Sequence, residues 1–131
     1  MKQAEDGDRI EPGTVYIAPP DNHLLANADG SLSLTQTELV HFVRPSADLL
    51  FESVAASFRD RAIAVVLTGS GADGAMGVRA IKKMGGTVIA QDEETSEFFA
   101  MPSAAIATGQ VDFVLPLEEI RPALVTLVVG P

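Results

Sequence analysis

The chain has 131 residues, of which 47% are hydrophobic and 21% are charged. This length and composition are typical of a single globular domain and exclude a disordered chain. Eighteen acidic against nine basic residues give a formal net charge of −9, which disfavours nucleic acid and acidic membrane surfaces as partners. The sequence has no apolar run long enough to cross a bilayer, and the absence of cysteine excludes disulfides and fits a cytoplasmic protein.

The N-terminal part of the chain predicts an exposed lead-in followed by short strands. Residues 1–12 hold four acidic residues with a glycine and a proline, and residues 14–18 are strand-like and end at a Pro-Pro-Asp-Asn turn. An Asp-Gly pair then lies between the alternating apolar stretches 23–28 and 31–35. This pattern predicts a β-hairpin.

The remainder of the chain predicts helices that alternate with strands. Ser46 follows a proline and can cap the first of these helices, with Asp48 near the positive end of the helix dipole. Pro122 fits the last helix only if it lies within the first turn. The predicted elements are a helix over 47–58, a strand over 63–67, a helix over 74–84, a strand over 87–91, a helix over 103–108, a strand over 111–115 and a helix over 117–128.

This order indicates an α/β fold, with a doubly wound, mostly parallel sheet, helices on both faces and an antiparallel β-hairpin. We expect one domain over residues 1–131. Functional groups in such sheets gather at the carboxyl ends of the strands. The loops 68–73 and 91–102 and Pro116 should therefore meet at one edge.

A glycine-rich turn follows the most apolar predicted strand. Gly69, Gly71 and Gly74 have the G-x-G-x-x-G spacing of dinucleotide-binding sites, with Asp92 about 20 residues further on. In such a site a pyrophosphate binds the free amides at the start of the next helix. Asp73 lies at that point. Its carboxylate would bind the same amides, and its negative charge would repel the phosphates. Dinucleotide binding is therefore the third-ranked hypothesis, and a simple helix cap formed by Asp73 is the plainest alternative.

Several separate segments of the chain closely resemble the chemotaxis receptor methylesterases, the CheB-type protein-glutamate methylesterases. The resemblance covers about residues 6–128 and rests on PGTVYIAPPDNHLL, FVRPSADLLFESVA, LTGSGADGAMGVRAIKKMGG and TVIAQDEETSEFFAMPSAAIATGQVDFVLPLEEI. It implies a serine hydrolase with a Ser-His-Asp triad that demethylates receptor glutamate methyl esters and deamidates certain receptor glutamines. The implied partners are the cytoplasmic helices of methyl-accepting chemoreceptors.

The resemblance also assigns roles to residues of the glycine-rich turn. Asp73 would be the triad acid that holds the imidazole in the correct tautomer, and the backbone N–H of Ser70 would be an oxyanion donor. The apolar members of the implied substrate site are equally well explained as core. The implied substrate-binding residues are Thr68, Gly69, Gly71, Phe99, Met101 and Pro102. No cofactor is implied, and His23 and His41 lack the spacing of metal ligands.

The chain departs from the family pattern in one respect. The nucleophile motif Gly-x-Ser-Thr-Gly-Gly and the His-Met-Pro-like segment of the family do not occur in it. The chain therefore resembles the C-terminal portion of the catalytic domain, and we expect no appreciable esterase activity from it alone. Ser70 cannot replace the nucleophile, because it and Asp73 are too close in sequence to flank one imidazole.

The alternative function is a non-catalytic binding module. Without its neighbouring strands, a parallel sheet exposes backbone groups and the apolar faces of its helices. Such a module would bind chemoreceptor helices, a receiver domain, the missing N-terminal part of the domain, or a second copy of itself.

Overall fold

The computed structural model describes residues 1–39 and 43–130, so His41 lies outside the described residues. A 3₁₀ turn at Arg59–Arg61 lies between a helix that ends at Phe58 and a strand that begins at Ile63. The strands are β1 Lys2–Gln3, β2 Tyr16–Ile17, β3 His23–Ala26, β4 Leu32–Thr35, β5 Ile63–Val66, β6 Thr87–Gln91 and β7 Phe113–Leu115. The helices are α1 Ala47–Phe58, α2 Ala75–Lys83, α3 Ala100–Ala107 and α4 Leu117–Val129.

The main sheet has three parallel strands in the order β5-β6-β7, which confirms the predicted α/β fold. Helices α2 and α3 form the two crossovers between these strands. Alternate residues point to opposite faces of a sheet. One face packs with the first three helices into a core that includes Ala64, Val88, Val78, Ile81 and Ala105. The opposite face lies against α4, as predicted for a sheet covered on both sides.

The predicted hairpin is formed by β3 and β4, which pair antiparallel with Leu24 opposite Leu34 and Ala26 opposite Leu32. Gly30 has a φ of +86° in the turn, a conformation that the Asp-Gly pair favours. The apolar face of the hairpin forms a second core that packs on α1 through Leu50, Val54 and Phe58. Helix α1 thus lies between the hairpin and the main sheet.

Residues 1–12 are mostly exposed, but their backbone pairs with the rest of the domain. β1 pairs in parallel with β2, and Ala4 is only 2% exposed. The amide of Gly7 donates to the carbonyl of Leu32 at 2.8 Å, which attaches this segment to the hairpin. Two of the acidic side chains add to this attachment, because Asp6 accepts from the Leu34 amide at 2.9 Å and Asp8 accepts from the Lys2 ammonium at 2.7 Å.

The two helices that contain a proline, α3 and α4, differ from the predictions. α3 begins three residues earlier than predicted, at Ala100, which places Pro102 in its first turn, where proline is tolerated. Pro122 is the sixth residue of α4 and so lies beyond the first turn, contrary to the prediction. Within the described ranges, no helix combines the length and apolarity that a membrane span requires.

Candidate active site

Two loops are joined by hydrogen bonds at the carboxyl edge of the main sheet. The Thr68 hydroxyl donates to the Phe98 carbonyl at 3.0 Å and accepts from the Phe98 amide at 2.7 Å. The Gly69 amide donates to the Phe98 carbonyl at 2.8 Å, and the Met101 amide donates to the Gly69 carbonyl at 3.0 Å. The structure therefore brings together Thr68, Gly69 and Met101, three residues of the predicted substrate site.

A buried glutamine at the end of β6 supports this junction. Gln91 is 1% exposed, and its Oε1 accepts from the Thr68 amide at 2.9 Å. Its Nε2 donates to the Thr95 carbonyl at 2.8 Å. The sequence analysis missed this residue, although a glutamine at the end of an apolar strand was the available signal.

The loop at Pro116, between β7 and α4, reaches the same edge of the sheet. The Leu117 amide at the start of α4 donates to the Thr95 hydroxyl at 3.1 Å, and the Asp92 amide donates to the Leu115 carbonyl at 2.9 Å. The predicted meeting of three loops at the carboxyl ends of the strands is confirmed.

Asp73 binds the N-terminus of α1, a helix that lies far from it in sequence. Its Oδ2 accepts from the Ala47 amide at 2.6 Å, and its Oδ1 accepts from the Asp48 amide at 3.1 Å. The Ser46 hydroxyl donates to the same Oδ1 at 2.9 Å. The prediction that Ser46 caps α1 is therefore wrong, because Asp73 provides the cap and Ser46 donates to it.

Asp48 provides the matching cap for α2. It is 2% exposed, and its Oδ1 accepts from the Gly74 amide at 2.9 Å and the Gly77 amide at 2.8 Å. The expectation that Asp73 occupies the α2 amides is therefore wrong, since Asp48 occupies them. The dinucleotide hypothesis loses its physical basis, because a pyrophosphate would need amides that Asp48 already binds.

His23 is fully buried beneath this cap. The Ser46 amide donates to its Nδ1 at 3.2 Å, so Nδ1 carries no proton and Nε2 donates to the Glu38 carbonyl at 3.0 Å. Both ring nitrogens are thus engaged away from solvent. This arrangement agrees with a structural histidine and leaves no ring nitrogen for Asp73.

The remaining predicted site residues differ in exposure. Ser70 is exposed, and its backbone N–H donates to no protein atom among residues 1–39 and 43–130. Gly71 follows it with a φ of +82°. Phe99 is partly exposed, whereas Pro102 is fully buried, so for Pro102 the structure favours the core alternative. Phe98, which the sequence analysis did not select, is 56% exposed beside them.

The edge is an open surface with negative charge. Glu93, Glu94 and Glu97 are exposed on the loop after β6, which disfavours a phosphate-bearing ligand. Cavities of about 260 and 420 Å³ lie elsewhere, between α4 and the sheet, and contain none of the predicted site residues. In the part of the chain that the structure describes, no group of three or more metal-ligating side chains is placed to hold a metal ion.

Comparisons with known proteins agree on one family. The family model described as CheB methylesterase matches residues 1–124. The protein-glutamate methylesterase/protein-glutamine glutaminase of Pyrococcus abyssi is 47% identical over 131 residues, which are 98% of this chain and 36% of that protein. The protein-glutamate methylesterase/protein-glutamine glutaminase 1 of Myxococcus xanthus is 49% identical over 130 residues, which are 97% of this chain and 38% of that protein.

A solved structure is also similar. The crystal structure of the Thermotoga maritima CheB methylesterase catalytic domain matches with a TM-score of 0.92 and 42% identity, covering 95% of this chain and 68% of that one. The chain thus spans more than a third of the two curated relatives' length and about two thirds of this catalytic domain.

Proposed function

Because the chain belongs to the CheB methylesterase family, we propose that it supplies the triad aspartate and an oxyanion donor of a protein-glutamate methylesterase. The relatives carry that activity, together with glutaminase activity, in their names. In this proposal Asp73 orients the catalytic imidazole and the Ser70 N–H binds the oxyanion. The nucleophilic serine and the imidazole come from a segment other than these 131 residues, because the chain contains neither motif.

The proposed reaction is ester hydrolysis through an acyl-enzyme. The serine hydroxyl attacks the carbonyl carbon of a glutamate methyl ester while the imidazole takes its proton, and the imidazole then returns that proton to the departing methanol. Water hydrolyses the acyl-enzyme to release the glutamate side chain. With a glutamine substrate the leaving group is ammonia. Asp73 stabilises the imidazolium, and the Ser70 amide stabilises the negative charge on the carbonyl oxygen.

One observation carries the proposal: a fixed, partly exposed carboxylate lies close in sequence to an unengaged amide. Three hydrogen bonds hold Asp73 at the N-terminus of α1. The Ser70 amide, three residues earlier, has no protein acceptor within the described ranges. An acid that orients the imidazole and a donor for the oxyanion are two of the groups that a triad hydrolase needs.

The substrate surface would be the junction of the two loops. Thr68, Gly69, Gly71, Phe99 and Met101 would contact the polypeptide around the ester, and the exposed ring of Phe98 adds to them. We propose chemoreceptor helices in the cytoplasm as the substrate. The net charge of −9 agrees with a protein partner and disfavours nucleic acid.

Methanol release from a methylated chemoreceptor tests this function. The purified chain alone should release no methanol above background. Co-expression with the part of the T. maritima catalytic domain that the chain does not match should restore release, and Asp73→Asn should abolish it. Asp60→Asn, at an exposed position, is the matched control. Release by the chain alone that depends on Asp73, or full activity of the complemented Asp73→Asn variant, would contradict the proposal.

A second candidate, the binding module, has its own support. Among the described residues, β5 hydrogen-bonds to a strand on one side only. Val125, Val128 and Val129 on α4 are 55%, 74% and 79% exposed. A free strand edge and an exposed apolar helix surface favour association. Sedimentation velocity should then show self-association at high concentration, whereas a clean monomer would count against it.

The same proposal includes a receiver domain and the family's remaining catalytic segment as partners, and it assigns no cofactor to this chain. For the dinucleotide hypothesis, NAD or a flavin nucleotide should leave the melting temperature unchanged. A concentration-dependent rise would restore that hypothesis.

A further inference from the structure

We propose that Ser46 and Asp48, in the first turn of α1, are positioning residues that hold the Asp73 carboxylate in one rotamer with one acceptor site left open on Oδ2. The open site is where the imidazole N–H of the proposed triad would bind. Only this last step rests on the proposed function, since the holding of the carboxylate does not depend on it.

The number of acceptor sites identifies the open position. An ionised carboxylate offers about four lone-pair sites, two on each oxygen. The Ser46 hydroxyl and the Asp48 amide fill both sites on Oδ1. The Ala47 amide fills one site on Oδ2. Among the donors in residues 1–39 and 43–130, none fills the second site on Oδ2, so a further donor has one place to bind.

Ser46 is itself fixed from the side opposite Asp73. It is 2% exposed, its backbone is extended at φ −112° and ψ 129°, and its amide donates to the buried His23 ring. Its hydroxyl must be the donor to Asp73, because a carboxylate accepts and cannot donate. The hairpin thereby determines, through Ser46, where Oδ1 lies.

Asp48 fixes the backbone that follows Asp73. Its Oδ1 binds the Gly74 and Gly77 amides, so the residue next to Asp73 is tied to the same helix that the Asp73 side chain caps. The carboxylate and its own main chain are thus attached to the same turn of α1. Two attachments leave Asp73 one orientation, and a fixed orientation is what a catalytic group requires before substrate binds.

NMR measurement of the Asp73 χ1 couplings in the purified 131-residue chain tests the proposal. The wild-type chain should give the couplings of a single staggered rotamer, and Ser46→Ala should give values averaged over several rotamers. Ser46→Thr keeps the hydroxyl and should restore the single rotamer. Asp48→Ala should also produce averaging, because it releases the Gly74 amide.

Ala47→Pro provides a second variant that does not depend on Ser46. Proline is favoured at the first helical position, and the extended Ser46 backbone is the one that a following proline prefers. The substitution removes the N–H that donates to Oδ2 at 2.6 Å, so the rotamer preference should fall although the helix is retained.

A single Asp73 rotamer in folded Ser46→Ala and Asp48→Ala chains would overturn the proposal. If Ser46→Ala fails to fold, Asp48→Ala decides the question, and Ala47→Pro measures what the Ala47 amide adds. The rotamer measurement does not depend on the methanol assay. If complementation fails but the variants lose the single rotamer, the proposed function is wrong and the positioning roles stand. If complementation succeeds but the variants keep the single rotamer, the positioning roles are wrong and the proposed function stands.

Discussion

Asp48 and Asp73 form a reciprocal pair of helix caps. The Asp73 carboxylate binds amides at the start of α1, which contains Asp48, and Asp48 binds amides at the start of α2, which follows Asp73. The two caps span about 25 residues of sequence and lie within one helix–helix contact. Asp73 therefore has a structural role whatever chemistry it performs.

This reciprocity predicts strong coupling between the two carboxylates. Asp73→Ala should lower the free energy of unfolding by about 1–2 kcal/mol, the usual cost of a lost cap, and Asp48→Ala by somewhat more because it is buried. The double variant should lose at least about 0.5 kcal/mol less than the sum. Urea titration of all four chains measures this, with Asp60→Ala as the exposed control. Additive losses would contradict the coupling.

Gly77 permits the close approach of α1 and α2. A Cβ at this position would lie 2.6 Å from the Cβ of Phe51, and neither atom can rotate away. Gly77→Ala should therefore destabilise the protein by about 1–3 kcal/mol through overpacking, even though alanine favours a helix by about 1 kcal/mol. Thermal and urea unfolding give the value. Arg79→Ala, on the exposed side of the same helix, should change stability by less than about 0.5 kcal/mol. Increased stability of Gly77→Ala would show that the helices separate easily.

Gln91 should control the order of the loops at the carboxyl edge. Gln91→Leu leaves the Thr68 amide and the Thr95 carbonyl without their partner, at a cost of about 1–3 kcal/mol. Amide hydrogen exchange should accelerate at Thr68 and Phe98 first. Gln110→Leu, an exposed glutamine, is the control and should leave these amides protected. An unchanged exchange rate at Thr68 in Gln91→Leu would mean that the Thr68–Phe98 hydrogen bonds are enough to keep the loops ordered without Gln91.

The Asp112–Lys82 pair predicts a dependence of stability on pH. Burial raises the pKa of Asp112, but hydrogen bonds from the Lys82 ammonium at 2.8 Å and the Val88 amide lower it by more, so the pKa lies below its ordinary value of 3.8. A lowered carboxyl pKa stabilises the folded state above the unfolded pKa, and this stabilisation is lost as the pH falls through the folded value.

Asp112→Asn should therefore lose about 0.5–1 kcal/mol at pH 7 and show a shallower decrease in stability below about pH 5 than the wild type. Urea titrations between pH 7 and pH 3 give both quantities. Lys83→Ala, beside the pair but exposed, should reproduce the wild-type slope. Equal slopes for Asp112→Asn and the wild type would show that the pair is not the source of the dependence.

Local patterns predicted most of the fold, because turn chemistry and hydrophobic periodicity act over a few residues. The Asp-Gly turn predicted the hairpin, and the bounds of β6 were predicted to the residue. The caps could not be predicted in this way. Asp73 and Ser46 are 27 residues apart, and a local pattern assigns each to the nearest helix start. The positions of Gln91 and Pro102 likewise depend on which loops the sheet brings together.

The hydrogen bonds between Thr68, Gly69 and Phe98 have a consequence for assembly. They are formed within this chain, so the loops at the carboxyl edge lose their conformational freedom when the domain folds. A polypeptide that docks there meets an ordered surface and bears only the entropy of its own ordering. The affinity of association at this edge should therefore fall as the flexibility of the incoming chain before binding increases.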